Sequence, residues 1–208
     1  VHWKATAHTG DIVVKEYAGG TEHRSAVWLD TSEHSQIGEG PESSFETGVI
    51  AAASVLEGLS DIGINTALFA EGLSDRLRAP EAGESIVRRA LEELATVRPV
   101  GEQSFGRNIR NYREHTTSGM TVFAITTGID DRTIQALIET AATGVALRVI
   151  LTGCASADEG TQASQSGLRS YLRAHSIPAA LACNTAQLQA AFAALTPSGT
   201  TPSFGVAR

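Results

Sequence analysis

The sequence predicts an α/β fold: a three-layer, Rossmann-like domain with a mainly parallel central sheet and helices on both faces. Two observations carry that prediction. Short apolar runs alternate with helical stripes from Ser25 to Leu195, and such alternation builds right-handed β-α-β crossovers, which need parallel strands. The chain also has material for a sizeable core, with 208 residues, 42% of them hydrophobic and 19% charged. Gly contributes 20 residues and aromatics only 5%, so small side chains and tight turns do much of the packing.

Taken in order, Ser25 to Leu29 is a short apolar run ending at Asp30, which suits a buried strand. Phe45, Val49, Ala52, Leu56 and Leu59 recur at steps of four and three, the mark of a helix burying one face. Ile64 to Phe69 reads as the next strand, and Ser74 to Ala79 as a short antiparallel partner at a sheet edge. Ile86, Val87, Ala90, Leu91, Leu94 and Val97 form another stripe, stopped by Pro99, which cannot continue a helix. Asn108 to Thr117 reads as a polar helix and Met120 to Ile125 as a strong strand. Ile134, Leu137, Ile138 and Ala141 mark a helix, and Val145 to Leu151 a strand interrupted only by Arg148. Leu168, Tyr171 and Leu172 mark a further helix and Pro178 to Ala182 a short strand. Leu188, Ala191, Phe192 and Leu195 mark a last helix, with Asn184 and Gln187 spaced as a capping box. The expected organisation is an N-terminal segment over 1–24, the α/β domain over 25–195 and a tail over 196–208 rich in Thr, Pro, Ser and Gly.

Charge and motifs exclude several classes. The net charge is −7, and no Lys/Arg stripe exists that displaces phosphate counterions, so no nucleic-acid partner is expected. Val49 to Leu56, the longest nearly apolar stretch, is far short of the roughly 20 residues a bilayer core demands. The opening Val1-His2-Trp3-Lys4 has neither an initiator Met nor an apolar leader, and reads as a cut piece of a longer protein with any membrane segment upstream. Cys154 and Cys183 have no metal-type spacing and read as free thiols of a reducing compartment. The six histidines lack zinc-ligand spacing. Gly38-Glu39-Gly40-Pro41 lacks the third glycine of a dinucleotide loop, and no phosphate-binding G-x-x-x-x-G-K-[ST] occurs. Arg107, Arg110 and Arg113, the one basic cluster, read as a solvated helix face; Trp3 and Trp28 read as apolar anchors.

In an open parallel sheet, ligands bind beyond the carboxyl ends of the strands where strand order reverses. That places Asp30-Thr31-Ser32-Glu33-His34-Ser35 and Thr126-Thr127-Gly128 at one crevice. A carboxylate directly after an apolar strand, with a hydroxyl two residues on, puts two hard oxygens on one loop. Asp30 alternatively caps its own loop as an Asx-turn. Ser32 and His34 lie two apart with no G-x-S-x-G elbow to expose a serine.

Asp30-x-Ser32 is the beginning of the D-x-S-x-S loop of von Willebrand factor A domains, whose metal-ion-dependent adhesion site holds Mg²⁺. Ahead of it run Trp3-Lys4-Ala5-Thr6-Ala7-His8-Thr9-Gly10, then Val13-Val14-Lys15-Glu16-Tyr17, then Leu29-Asp30-Thr31-Ser32. That succession resembles the bacterial family called domain of unknown function 58, which carries D-W-[KR]-A-[ST]-A-R-x-G shortly before an A-type domain. The resemblance implies a von Willebrand A-like fold and a residual site of Asp30 and Ser32, with His34, Ser104 and Thr127 as further candidates.

The departures from the family pattern set the chemistry expected of that site. His2 and His8 stand where the family has Asp and Arg, His34 takes the third ligand position, and Ser35 comes one step late. Ser104 is the nearest hydroxyl where a distal Thr is expected, and Thr127 replaces the Asp of Thr-Asp-Gly. Asp30 is then the sole identifiable anionic ligand, whereas Mg²⁺ sites rest on carboxylates; an imidazole suits Zn²⁺ or Cu²⁺ better. The expectation is a degenerate, metal-free site without resident cofactor, Mg²⁺ being the one candidate. The resemblance further implies a non-catalytic protein-interaction module, on the cytoplasmic face of the membrane in the full-length protein, with a MoxR-type AAA+ ATPase as partner. A structural domain with a vestigial crevice and a metal-assisted hydrolase are the alternatives.

Overall fold

The computed structural model describes residues 25–64, 66–74, 77, 84–128, 130–153 and 157–195. The N-terminal motif segment, the 196–208 tail and Cys154 lie outside the described residues.

Five strands make one sheet: β1 (Ser25–Leu29), β2 (Thr66–Phe69), β3 (Thr121–Thr126), β4 (Ala146–Thr152) and β5 (Ala179–Ala182). Their order is β2-β1-β3-β4-β5, and every pairing between them is parallel. The antiparallel edge expected at Ser74 to Ala79 is not found among the described residues: β2 ends the sheet, and neither Ser74 nor Leu77 belongs to a strand. Instead Ser74 N–H donates to the Glu93 carboxylate at 2.9 Å and Leu77 N–H to the Ser74 carbonyl at 3.1 Å. Leu77 is a core residue under the helices, so its apolar spacing records burial in a turn rather than a strand.

Among the described residues six α-helices flank the sheet: α1 (Ser44–Asp61), α2 (Glu84–Leu94), α3 (Phe105–Arg113), α4 (Asp131–Ala141), α5 (Glu159–Ala174) and α6 (Thr185–Leu195). Because side chains alternate along a strand, β1 feeds two cores. Val27 and Leu29 pack with α1, Ala90 and Leu94 of α2, and Leu188 and Phe192 of α6. Ala26 and Trp28 pack on the opposite face with Phe105, Ile109 and Tyr112 of α3, Leu137 of α4 and Leu172 of α5. β1 and β3 at the centre are buried along almost their whole length, which is why they read as near-continuous apolar runs.

The helix starts follow local chemistry. Ser43, Asp130 and Asp158 cap α1, α4 and α5 by accepting the backbone N–H three residues on, at 3.2, 2.7 and 2.7 Å. At α6 half of the expected capping box forms: Gln187 N–H donates to Asn184 Oδ1 at 3.1 Å, while Gln187 Oε1 reaches one residue further back and accepts Cys183 N–H at 2.9 Å. Helix α3 begins three residues before the expected Asn108 and ends before Thr117. Its stripe is Phe105, Ile109 and Tyr112, all buried, a four-then-three spacing masked by the polar residues between. Arg107 and Arg110 are exposed as expected, while Arg113 reaches Glu139 at 3.2 Å.

Candidate functional site

The chain leaves β1 for β2 on one side of it and returns to β3 on the other, so the strand order reverses between β1 and β3. A crevice opens at such a reversal. Leu29 pairs with Ile125 in register, and Asp30 N–H donates to the Ile125 carbonyl at 2.9 Å. The residues directly beyond, Asp30 and Thr126, therefore face each other: Thr126 Oγ1 donates to Asp30 Oδ2 at 2.6 Å. The aspartate turn and the threonine turn meet.

Asp30 is 3% exposed and boxed by donors. Its Oδ1 accepts Ser32 N–H at 3.0 Å and the Ser32 hydroxyl. Its Oδ2 accepts Ser35 Oγ at 3.0 Å beside Thr126. The Ser32 N–H contact is an Asx-turn, and the same carboxylate gathers the hydroxyls of Ser32, Ser35 and Thr126 around it. Gln36 closes the box from behind: its Nε2 donates to Ser35 Oγ and the Ser32 carbonyl, both at 3.1 Å. The 97–104 segment forms the opposite wall, held by the isolated Ser32–Gly101 bridge and by Gly101 N–H on the Thr31 carbonyl at 2.9 Å.

A cavity of about 390 Å³ lies over this box, lined by Asp30, Ser32, His34, Ser35, Glu102, Gln103, Ser104, Phe105, Gly128, Asp130 and Thr133. Asp30, Ser32, His34 and Ser104 thus come together as the sequence suggested, although His34 stands exposed on a short turn and Ser104 starts α3 without a side-chain cap bond. Thr127 does not line this cavity. It turns the other way, bonding Gln36 Oε1 at 3.2 Å and Thr152 Oγ1 at 2.9 Å. The threonine on Asp30 is Thr126, and the register signals it: if Leu29 pairs with Ile125, Asp30 must oppose Thr126. Gln36, Glu102 and Asp130 are further members that sequence reasoning left out of the site, and Ser35, one step late for the family pattern, bonds Asp30 all the same.

Burial is the largest influence on Asp30 and pushes its carboxyl above the usual carboxylate range, while the bonds from Ser32, Thr126 and Ser35 pull it back in part. A raised folded-state value means that the native state holds its proton longer than the unfolded chain does. Asp30's stabilising contribution is therefore full below the ordinary value of 3.8 and is lost as pH rises through the folded-state value. Asp30→Asn keeps an acceptor for Ser32 N–H and carries no charge to bury. It is expected to flatten this slope and to be the more stable form at neutral pH, as urea unfolding at acid and neutral pH will show.

The oxygen set fits a hard cation by type and falls short by charge. Asp30 is the one carboxylate within the hydroxyl cluster, and Glu102 and Asp130 sit on the cavity wall. Among the described residues no group of three or more His, Cys, Asp or Glu is placed to hold a metal ion.

A doubly wound α/β domain with a hydroxyl-boxed aspartate at its switch crevice is the class that fold and site define. The chain belongs to the family described as Protein of unknown function DUF58, whose model matches residues 1–150; the resemblance read from residues 3 to 32 is borne out. A solved structure of an aerotolerance-related membrane protein from Bacteroides fragilis NCTC 9343, with multiple mutations to serines, is similar with a TM-score of 0.52. The match covers 83% of this chain and 98% of that one at 13% identity, a likeness of fold. No curated protein matches the chain. Among the described residues no helix is long and apolar enough to cross a membrane.

Proposed function

We propose that this domain is a non-catalytic protein-interaction module that engages its partner at the Asp30 crevice, through a von Willebrand A-like site that works without a metal. The observation that carries this reading is the contact of Thr126 with Asp30 at 2.6 Å. It supports a rim made by two turns, with hydroxyls occupying the carboxylate lone pairs that a cation would use. The Asp30-x-Ser32 loop and the reversal of strand order support the A-type comparison. A hydrolytic role is not favoured by the bonding of Asp30: the carboxylate takes the hydroxyls of Ser32, Ser35 and Thr126 together rather than being reserved for activating a single serine.

Membrane association and a MoxR-type AAA+ ATPase partner belong to the same proposal. The family resemblance implies both, and the similar Bacteroides protein is itself a membrane protein. The test is capture by a purified MoxR-type ATPase of native chain and of Asp30→Ala/Ser32→Ala, in magnesium and in chelator. Capture in both buffers that is lost in the double variant is expected. Capture surviving the double variant would mean a vestigial crevice, and capture confined to magnesium would mean a working metal site.

A separate measurement bears on the cation. A Mg²⁺ site resting on a single carboxylate is weak, so calorimetric titration is expected to show no binding tighter than about millimolar, the weak end of the range for hard-cation protein sites. Tight binding that vanishes in Asp30→Ala overturns the metal-free reading.

A further inference from the structure

We propose that the crevice continues past Gly128 into a second groove, and that the partner is a segment pairing a Lys or Arg with an aliphatic or aromatic residue, laid across both. This rests on the reading of the Asp30 crevice as a docking site. The second groove has a volume of about 660 Å³, runs along α5 from its start to Tyr171 with Ile134 of α4 beside it, and has Ile37, Ile134, Leu168 and Tyr171 as its apolar lining. Gly128 belongs to both cavities and itself adds no side chain between them. The packing underneath is tight: a Cβ on Gly128 would stand 3.3 Å from Ser35 Cβ. Tyr171 is 46% exposed, one of three large apolar residues left open among the described residues.

Charge selects the polar half of the partner. Asp30, Glu102 and Asp130 line the first cavity and Asp158 the second, while among the described residues neither is lined by a Lys or Arg. Each helix start facing the carboxylates offsets only about half a charge, and among the described residues His34 is the one basic side chain on the wall. The rim stays negative. An approaching ammonium or guanidinium favours ionised Asp30, whereas an acidic segment meets like charge. Lys and Arg also lay their apolar stems along a groove while the charged head reaches out, which suits a polar cavity opening into an apolar one.

The test is to pan a random heptapeptide phage library on the immobilised chain and to measure the enriched peptides by fluorescence anisotropy. Enriched sequences are expected to combine a basic residue with a large apolar one. Binding is expected to weaken by about tenfold or more, the loss of one good contact, in Glu102→Lys and, independently, in Tyr171→Ser and Ser164→Trp. Glu102, Ser164 and Tyr171 are exposed, so these variants leave the core alone. Peptides lost in Glu102→Lys but indifferent to Tyr171→Ser and Ser164→Trp sink the second groove and leave the docking reading standing. Enrichment of acidic peptides, or binding indifferent to all three variants, overturns the proposal. No enrichment at all overturns both it and the reading beneath it.

Discussion

Gly106→Ala is expected to destabilise the domain by about 2 kcal/mol, although alanine inside a helix is ordinarily better than glycine by up to about 1 kcal/mol. The reversal of sign comes from the helix pair. A Cβ at Gly106 in α3 would stand 2.7 Å from Thr133 N, 2.8 Å from the Arg132 carbonyl carbon and 2.9 Å from its oxygen. All three are backbone atoms of the first turn of α4, which cannot swing aside as a flexible side chain can. Overpacking of this kind costs roughly 1–3 kcal/mol and sometimes more. Thr133 N–H is also the donor to the Asp130 cap, worth about 1 kcal/mol. Urea unfolding measures the effect. A variant as stable as the parent would show that α3 and α4 do not sit this close. Because Ser104, Phe105, Asp130 and Thr133 all line the Asp30 cavity, the same variant is expected to weaken partner binding.

Trp28→Ala is expected to cost about 4 kcal/mol, the range for emptying a large aromatic site, and Trp28→Phe less than about 2 kcal/mol. Trp28 is fully buried in β1, flanked by Phe69 of β2 and Ala124 of β3, with its ring 6.1 Å from that of Tyr112. The contrast between the two variants rests on the indole nitrogen. Trp28 Nε1 is buried with no hydrogen-bond partner among the described residues, and an unmet donor costs about 1–3 kcal/mol. Phenylalanine removes that donor while keeping most of the ring. With a typical domain stability of about 5–15 kcal/mol, the alanine variant removes a large share. Equal costs for the two substitutions would show that the nitrogen finds a partner, water included.

These results bear on what the sequence makes legible. The central strands stand out because burial on both faces leaves little choice but apolar residues: Ser25 to Leu29 is bounded correctly to the residue. Caps are legible too, since Asn184 and Gln187 act at a fixed spacing. Helix α3 is displaced by three residues because the polar residues between Phe105, Ile109 and Tyr112 hide the stripe. The turn after β2 misleads because Leu77 is as buried as a strand residue. At the crevice, Asp30 and Ser32 are visible as a local pair, but Thr126 is 96 residues from Asp30. Choosing between it and Thr127 needs the register of two strands, which no local pattern encodes. The wall at Glu102 and Gln103 is placed by the Ser32–Gly101 bridge, again a long-range pairing.

The two outermost strands, β2 and β5, are only four residues each. Unpaired strand flanks are templates on which other chains can extend a sheet, and brevity is one of the ways proteins blunt them. A four-residue flank offers too few free amides and carbonyls for a foreign strand to hold. Fibrillar, side-by-side growth of this domain through its sheet flanks is thereby disfavoured.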